Sequence, residues 1–309
     1  MNFMETMEFE AFIAKITGTV LKNEPMKLHT SWKIGGPADC FIAPATVGEI
    51  IDILAYTKKH NVPLTIIGRG TNLLVSDDGI EGIVMQISDN FGKIIWLNET
   101  EVRAEAGALL AALSREAARN SCTGLEWACG IPGNVGGAVM MNAGAYGSNI
   151  SNYITEIEVV EIDDAGTSQM KVLTKDDLEF SYRHSGIAAN QVVVGVNLLL
   201  EPGDREKSEA EMKELLQTRA ANQPLEYPSA GSVFKNPEGD HAGRLVEVSG
   251  CRGKIHGGAQ VSEKHGNFII NRGDAMAADV LALIAEVQAI VKEKHGIALE
   301  TEVRKIGRF

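Results

Sequence analysis

The sequence predicts a mixed α+β chain with more than one compact unit. Strand-length apolar runs crowd the segment from 63 to 199, and helical, charged periodicity takes over after Asp204. The 309 residues also exceed what one hydrophobic core normally serves. A composition of 44% hydrophobic and 23% charged residues is globular, and 32 glycines imply many positions that need positive φ or close approach.

The elements follow in order. Met4 to Ile16 is amphipathic and reads as a short opening helix. Val47 to His60 spaces Ile50, Ile51, Leu54 and Tyr56 for a second helix, with Thr46 as its N-cap. Pro63 opens PLTIIG, a short apolar run that predicts a buried strand entering a loop at Gly68 to Asn72. Strand-length runs follow at Ile83 to Ile87, Lys93 to Leu97 and Val102 to Ala106, before Leu109 to Arg119 switches to a helical period. Ile154 to Ile162, Gln169 to Leu173 and Val192 to Leu199 read as strands again. Asp204 to Asn222 is Glu/Lys-rich and helical, and Pro224 and Pro228 end it. Then come a helix near Ala242 to Val248, a strand near Asn267 to Asn271, a long helix from Ala275 to Glu293 and a final strand near Ala298 to Ile306. The change of character near Asp204 marks a domain boundary.

A formal charge of −12 argues against a general nucleic-acid binder, which needs a basic face to displace phosphate counterions. The first residues, MNFMETMEFEAF, lack a basic segment followed by an apolar one. No run reaches the roughly 18 to 20 apolar residues that span a bilayer. A cytoplasmic protein with no membrane partner is expected. Cys40, Cys122, Cys129 and Cys251 are scattered without a CxxC pair, so they read as reduced packing residues, and neither a metal site nor a disulfide framework is expected.

Two glycine-rich segments concentrate the chemistry. In IGRGTNLLVSD, Gly68 and Gly70 flank Arg69 and precede Thr71 and Asn72, a loop able to aim backbone N–H groups at an anionic oxygen. An ordinary strand-ending turn is the competing reading. GIPGNVGGAVMMNAGAYG carries Gly130, Gly133, Gly136, Gly137, Gly144 and Gly147 with no charged side chain, which points to backbone lying against something flat or bulky. A bound cofactor is the natural candidate, and a tightly packed Gly/Ala helix is the alternative. Neither G-x-G-x-x-G opening a helix nor G-x-x-x-x-G-K-[ST] is present, which disfavours a dinucleotide fold of the doubly wound kind and a P-loop.

Together the two loops resemble the FAD-binding domain of the vanillyl-alcohol oxidase and p-cresol methylhydroxylase superfamily. Five segments in order, IGRGTNLLVSD, GIPGNVGGAVMMNAGAYG, YRHS, SAGSVFKNP and LETEVRKIG, resemble the signatures of the UDP-N-acetylenolpyruvoylglucosamine reductase family. The resemblance implies an N-terminal helix over 1–20 and a two-lobed FAD-binding domain over 21–204, with lobes at about 21–87 and 88–204. It implies an α+β substrate-binding domain over 205–309, whose last strand returns toward the flavin site.

It also implies non-covalent FAD, NADPH as hydride donor and a UDP-sugar enolpyruvyl ether as substrate in peptidoglycan precursor synthesis, with a monomer expected. Ser232 matches the family's proton donor, Arg183 its active-site arginine and Glu302 its active-site glutamate. A planar, permanently charged guanidinium suits the negative charge that develops on the carboxylate side of the substrate. Glu302 would share that carboxylate only if protonated, so a raised pKa is implied.

For the cofactor the resemblance implicates Gly68, Arg69, Gly70, Thr71, Asn72, Gly130, Ile131, Pro132, Gly133, Gly136, Gly137, Asn142, Ala143 and Gly144; Arg219 reads either as a contact to the FAD pyrophosphate or as a basic residue at a helix end. Tyr182 and Asn236 match substrate-contacting positions of the family, and Lys235 sits beside Asn236, within reach of a phosphate or sugar oxygen. His29 and His265 read as structural. The interval GIAANQ after Ser185 is short, so the chain resembles the subtype without the insertion that closes a tyrosine over the sugar. Two other readings compete: an oxidase with covalently attached flavin, for which Cys129 is the one nearby nucleophile, and a non-catalytic nucleotide-binding protein.

Overall fold

The computed structural model describes Met4 and residues 6–309. The chain packs as two units, each discontinuous in sequence. Unit 1 contains the described residues of Met1–Lys22 together with Cys40–Arg69 and Gly82–Gln217, and unit 2 contains Asn23–Asp39, Gly70–Glu81 and Thr218–Phe309. A single cut near Asp204 is contiguous by construction, whereas here two early segments join the C-terminal third.

In unit 1 the opening helix α1 is Met7–Ile13, capped by Thr6, whose hydroxyl accepts from Phe9 N; Glu5 lies outside the described residues. Helix α2 is Val47–His60, as expected. The Thr46 hydroxyl accepts from Glu49 N at 3.2 Å, and Asn61 ends the helix in the left-handed region at φ 50°. Helix α3, Leu110–Arg119, buries Leu110, Leu113 and Ala117, one face at helical spacing.

The main sheet runs Ser168–Thr174, Ile154–Ile162, Gln191–Leu199, Glu101–Glu105 and Ile94–Trp96, every neighbour antiparallel. Val192 to Val196 are all buried, so this strand has no solvated face. A short helix inside the glycine-rich run, α4 at Val135–Met140, packs on this strand. A four-stranded sheet follows the order Thr19–Pro25, Pro37–Ala43, Ile80–Gln86, Leu64–Ile67, the last two parallel. The first two of these strands and α4 have no counterpart in the sequence expectations. Helix α5, Arg205–Asn222, closes the list of unit 1 elements and runs on into unit 2.

Unit 2 is built around the buried Trp32, whose indole N–H donates to Ile269 O at 2.8 Å while the Asn271 amide donates to Trp32 O at 2.9 Å. Helix α6 is Ala242–Val248, and α7, Ala277–His295, buries Val280, Leu283, Ile284, Val287 and Val291. The Asp77 carboxylate accepts from Ala277 N and Ala278 N, completing the α7 N-terminus. An antiparallel sheet of Ile255–His256, Ala259–Val261 and Ile269–Asn271 packs with these helices.

The C-terminal strand is shorter than expected. Only Arg304–Ile306 is a strand, parallel to Leu73–Val75, because the residues before it divide their backbone bonds between two other segments. Among the described residues no helix is long and apolar enough to cross a membrane.

Candidate active site

In unit 1 the strand Leu64–Ile67 delivers the chain into Gly68. The Gln86 amide donates to Gly68 O at 3.0 Å, and Ser88 Oγ donates to Gln86 Oε1, so this peptide is pinned from its carbonyl side. A Cβ at Gly68 would lie 2.5 Å from Asn134 Oδ1. Asn134 is buried and serves three segments at once: its side chain abuts Gly68, its Nδ2 donates to Ile87 O at 2.7 Å, and its Oδ1 accepts from Gly137 N at the start of α4. The two glycine segments therefore meet at one asparagine. A serine, threonine, asparagine or aspartate ahead of an apolar run is a helix-start signal, so Asn134 was findable in GIPGNVGGAV.

The glycines are first a packing device. A Cβ at Gly136 would lie 2.9 Å from Ala106 Cβ, and one at Gly144 2.4 Å from Ser148 O. Gly70, in unit 2, has φ +63°, and its Cβ would lie 2.0 Å from His29 O. The first turn of α4 is also satisfied by protein, since Val135 N donates to Ala108 O and Gly136 N to Ala106 O, both at 2.8 Å. At 68, 70, 136 and 144 the Cβ direction is filled by the chain itself, so what these positions offer a ligand is backbone.

What remains for an anionic ligand is backbone. Among the described residues the N–H groups of Gly68 and Arg69 in unit 1 donate to no protein acceptor, and the same holds for those of Gly70 and Asn72 in unit 2. In unit 1 the segment Ile131–Gly133 leads into α4 with Pro132 exposed, and Gly137 is exposed on the helix. Backbone N–H groups of this kind suit an anionic oxygen. Arg69 pairs with Asp89 at 3.2 Å on the surface, and Arg219 lies half-buried in the last turn of α5.

Asn142 and Ala143 link this segment to the YRHS turn. Asn142 sits at φ 38°, its Nδ2 donates to Ser181 O at 3.0 Å, and its Oδ1 accepts from Ser151 N; Ala143 N returns to Ala138 O. Ser181 and His184 exchange backbone bonds at 3.1 Å, closing a tight turn with Tyr182 and Arg183 at its tip. Arg183 occupies φ +60°, the left-handed position that usually calls for glycine, at a cost of roughly 1–2 kcal/mol. Its guanidinium carbon stands 4.9 Å from the centre of the Tyr182 ring. Backbone strain of this kind concentrates at functional positions.

In unit 2 the segment after Ser232 runs alongside the segment that carries Glu302. Glu302 N donates to Val233 O at 2.7 Å, Phe234 bridges Thr301, and Lys235 N donates to Glu300 O. Asn72 holds the other side: its Nδ2 donates to Glu302 O at 3.1 Å, and its own O accepts from Arg304 N. Asn72 thus shapes the backbone at Glu302. The half-buried Thr71 precedes it. The Lys235 ammonium pairs with Glu300 at 3.2 Å, and Asn236 Oδ1 accepts from Ala242 N at the start of α6. Asn267, which no sequence signal singled out, is buried against Val233 and Phe234.

The histidines behave as structural groups. His29 pairs with Glu24 at 2.9 Å, and the His265 Nδ1 accepts from Asn267 N. Burial, and then the Arg252 charge, pushes the His265 pKa below its usual value. All four cysteines are buried and outside any disulfide, and Cys129 Sγ donates to Met212 O, an enclosed setting for a nucleophile.

A loop with backbone N–H groups suited to an anionic oxygen, and a glycine-rich segment packed against Asn134, are the features of a protein that binds a phosphate-bearing cofactor. Residues 38–167 match the FAD binding domain family, and residues 223–306 match the family described as UDP-N-acetylenolpyruvoylglucosamine reductase, C-terminal domain. The chain is 45% identical to the UDP-N-acetylenolpyruvoylglucosamine reductase of Geobacillus thermodenitrificans, covering 93% of each chain. It is 47% identical to that of Lachnoclostridium phytofermentans, covering 94% of each. The crystal structure of UDP-N-acetylenolpyruvylglucosamine reductase from Thermus caldophilus aligns with TM-score 0.79 and 34% identity over 94% of this chain and 99% of that one. The protein is an FAD-dependent oxidoreductase. The chain belongs to the UDP-N-acetylenolpyruvoylglucosamine reductase family.

Proposed function

We propose that the protein reduces UDP-N-acetyl-3-O-(1-carboxyvinyl)-glucosamine to UDP-N-acetylmuramate, with NADPH as electron source, in the cytoplasm. The chemistry that FAD supplies when bound is hydride transfer, taken from NADPH and passed to the terminal carbon of the enolpyruvyl group. Residues 21–204 serve as the cofactor domain and 205–309 as the substrate domain. The short GIAANQ interval supports the subtype without the tyrosine-bearing insertion.

Ser232 gives its hydroxyl proton to the carbon beside the carboxylate, completing the saturated ether. Arg183 holds the carboxylate as charge develops on it, and protonated Glu302 donates to the same group. Tyr182, Lys235 and Asn236 contact the nucleotide sugar. Gly68, Arg69, Gly70, Thr71 and Asn72 contact the cofactor, as do Gly130, Ile131, Pro132, Gly133, Gly136, Gly137, Asn142, Ala143 and Gly144, and Arg219 reaches its pyrophosphate.

The observation that carries this reading is the 2.7 Å bond from Glu302 N to Val233 O. It sets an acid and a hydroxyl, distant in sequence, on adjacent backbones. The strained Arg183 adds to it. The test is a half-reaction experiment on the yellow protein. NADPH is expected to bleach the flavin and the enolpyruvyl substrate to restore it. Ser232→Ala leaves bleaching near normal and slows re-oxidation by at least about 10²-fold, the scale of a lost general acid. Equal loss in both steps overturns the proton-donor role.

A further inference from the structure

Ser232 lies between a free-standing glycine and a clamped pair of residues. Gly231, at φ +74°, has no atom within 4 Å of where its Cβ would be, although Ala230 before it is buried in the unit 2 core. On the other side Val233 N donates to Asn267 O at 2.8 Å, Phe234 N donates to Asn267 Oδ1 at 2.9 Å, and Asn267 Nδ2 donates to Phe234 O at 2.8 Å. Asn267 thus meets Val233 and Phe234 with its main-chain oxygen and both ends of its amide. Its residue is only 4% exposed, so none of these bonds is readily replaced by water. Its side chain acts as a strand would, pairing N–H and C=O of one residue in a segment that has no ladder of its own.

The clamp reaches Glu302 as well. Val233 donates its N–H to Asn267 O, and in the next peptide its oxygen accepts from Glu302 N while Phe234 N donates to Asn267 Oδ1. Ser232 adjoins the first of these peptides, Glu302 bonds to the second, and Asn267 holds both. We infer that Asn267 is a positioning residue for the reaction, holding Ser232 and Glu302 in register through the Val233–Phe234 backbone. This rests on the roles given above to Ser232 and Glu302. It adds a residue that touches neither substrate nor cofactor.

The test uses the FAD-loaded full chain with two variants. Asn267→Asp keeps the shape and the acceptor but loses the donor to Phe234 O. Asn267→Leu keeps the volume and loses both. Bleaching by NADPH is expected to stay within about twofold, while re-oxidation by substrate slows at least about tenfold for Leu and less for Asp, because misplacing a group by about 1 Å is worth up to about 10² in rate. In a Ser232→Ala background the same substitutions should cost clearly less than they do alone, since the part of their effect that passes through that hydroxyl is already lost and only the part through Glu302 remains. Hydrogen exchange supplies a readout independent of turnover: peptides covering 230–236 and 299–304 should exchange faster together.

If Ser232→Ala slows re-oxidation but the Asn267 variants do not, or if their effects multiply with it, the inference fails while the proton-donor reading stands. If Ser232→Ala itself leaves re-oxidation intact, the underlying reading fails. Should the Leu variant not fold, the near-isosteric Asp variant decides by the same comparisons.

Discussion

The glycine-rich loops of unit 1 and the Ser232 and Glu302 segments of unit 2 are both irregular backbone, yet they are held by opposite means. In unit 1 the chain approaches itself so closely that Gly68, Gly136 and Gly144 have no room for a methyl group. In the Ser232 and Glu302 segments of unit 2 Gly231 is open, and asparagine amides join neighbouring backbones, at Asn72 to Glu302, Asn267 to Phe234 and Asn271 to Trp32. The glycine segments depend more on space and these segments more on bonds. A methyl group should break the first, and loss of one donor should break the second.

The largest effect is expected from Gly68→Ala. The added methyl must displace the Asn134 amide, which unpairs Ile87 O and Gly137 N. Each buried group left unsatisfied costs about 1–3 kcal/mol, so a loss of about 2–5 kcal/mol and failure to retain FAD are expected. Denaturant midpoints of the apoprotein and a flavin titration measure both. In an Asn134→Ala background the methyl has space, so the double variant should lose clearly less than the sum of the singles. Additive losses would show that Gly68 is needed for something other than this contact.

How much of this was legible beforehand follows the same division. Elements that rest on local signals were readable: Thr46 and the apolar spacing after it give α2, the β-branched run gives Ile154–Ile162, and Ala242–Val248 is a helix as expected. Helix α4 was not, since Gly136, Gly137 and two valines argue against a helix, and it forms because Asn134 and the carbonyls of Ala106 and Ala108 take its first N–H groups. The tail was read as one strand from Ala298, but its middle shares its bonds between Val233 and Asn72 and so keeps no regular pairing.

The order of the five motifs points to the candidate site residues by resemblance. Asn267 and Gln86 were silent because an asparagine or glutamine beside a strand carries no signal until its partner is known.

A smaller effect is expected from the acid side of the unit 2 clamp. The His265 Nδ1 accepts from Asn267 N, which requires an unprotonated nitrogen, and burial holds the folded pKa below the unfolded value near 6.5. The folded state then binds fewer protons, so its stability is unaffected well above pH 6.5. It falls as pH drops from about 6.5 through the folded pKa, at no more than about 1.4 kcal/mol per pH unit for this one proton. His265→Gln should flatten that part of the curve, as read by Tm between pH 7 and 5. An unchanged slope would assign the acid sensitivity to carboxylates instead.

The smallest stability effect, and the sharpest discrimination, belongs to Arg69. Its pair with Asp89 joins side chains that are 43% and 85% exposed, and such pairs contribute about 0–1 kcal/mol. Its backbone N–H is one of the loop donors, and Arg69→Gln keeps that group while removing the charge. If space and backbone alone shape the unit 1 site, this variant should bind FAD as the parent does. If the guanidinium also meets a cofactor phosphate, as proposed, Tm should move by less than about 2 °C while the FAD dissociation constant rises about tenfold or more, the scale of a hydrogen bond to a charged group. A fall in Tm without a change in FAD affinity would return Arg69 to the surface. The phosphate contacts of this loop would then be made by its backbone alone.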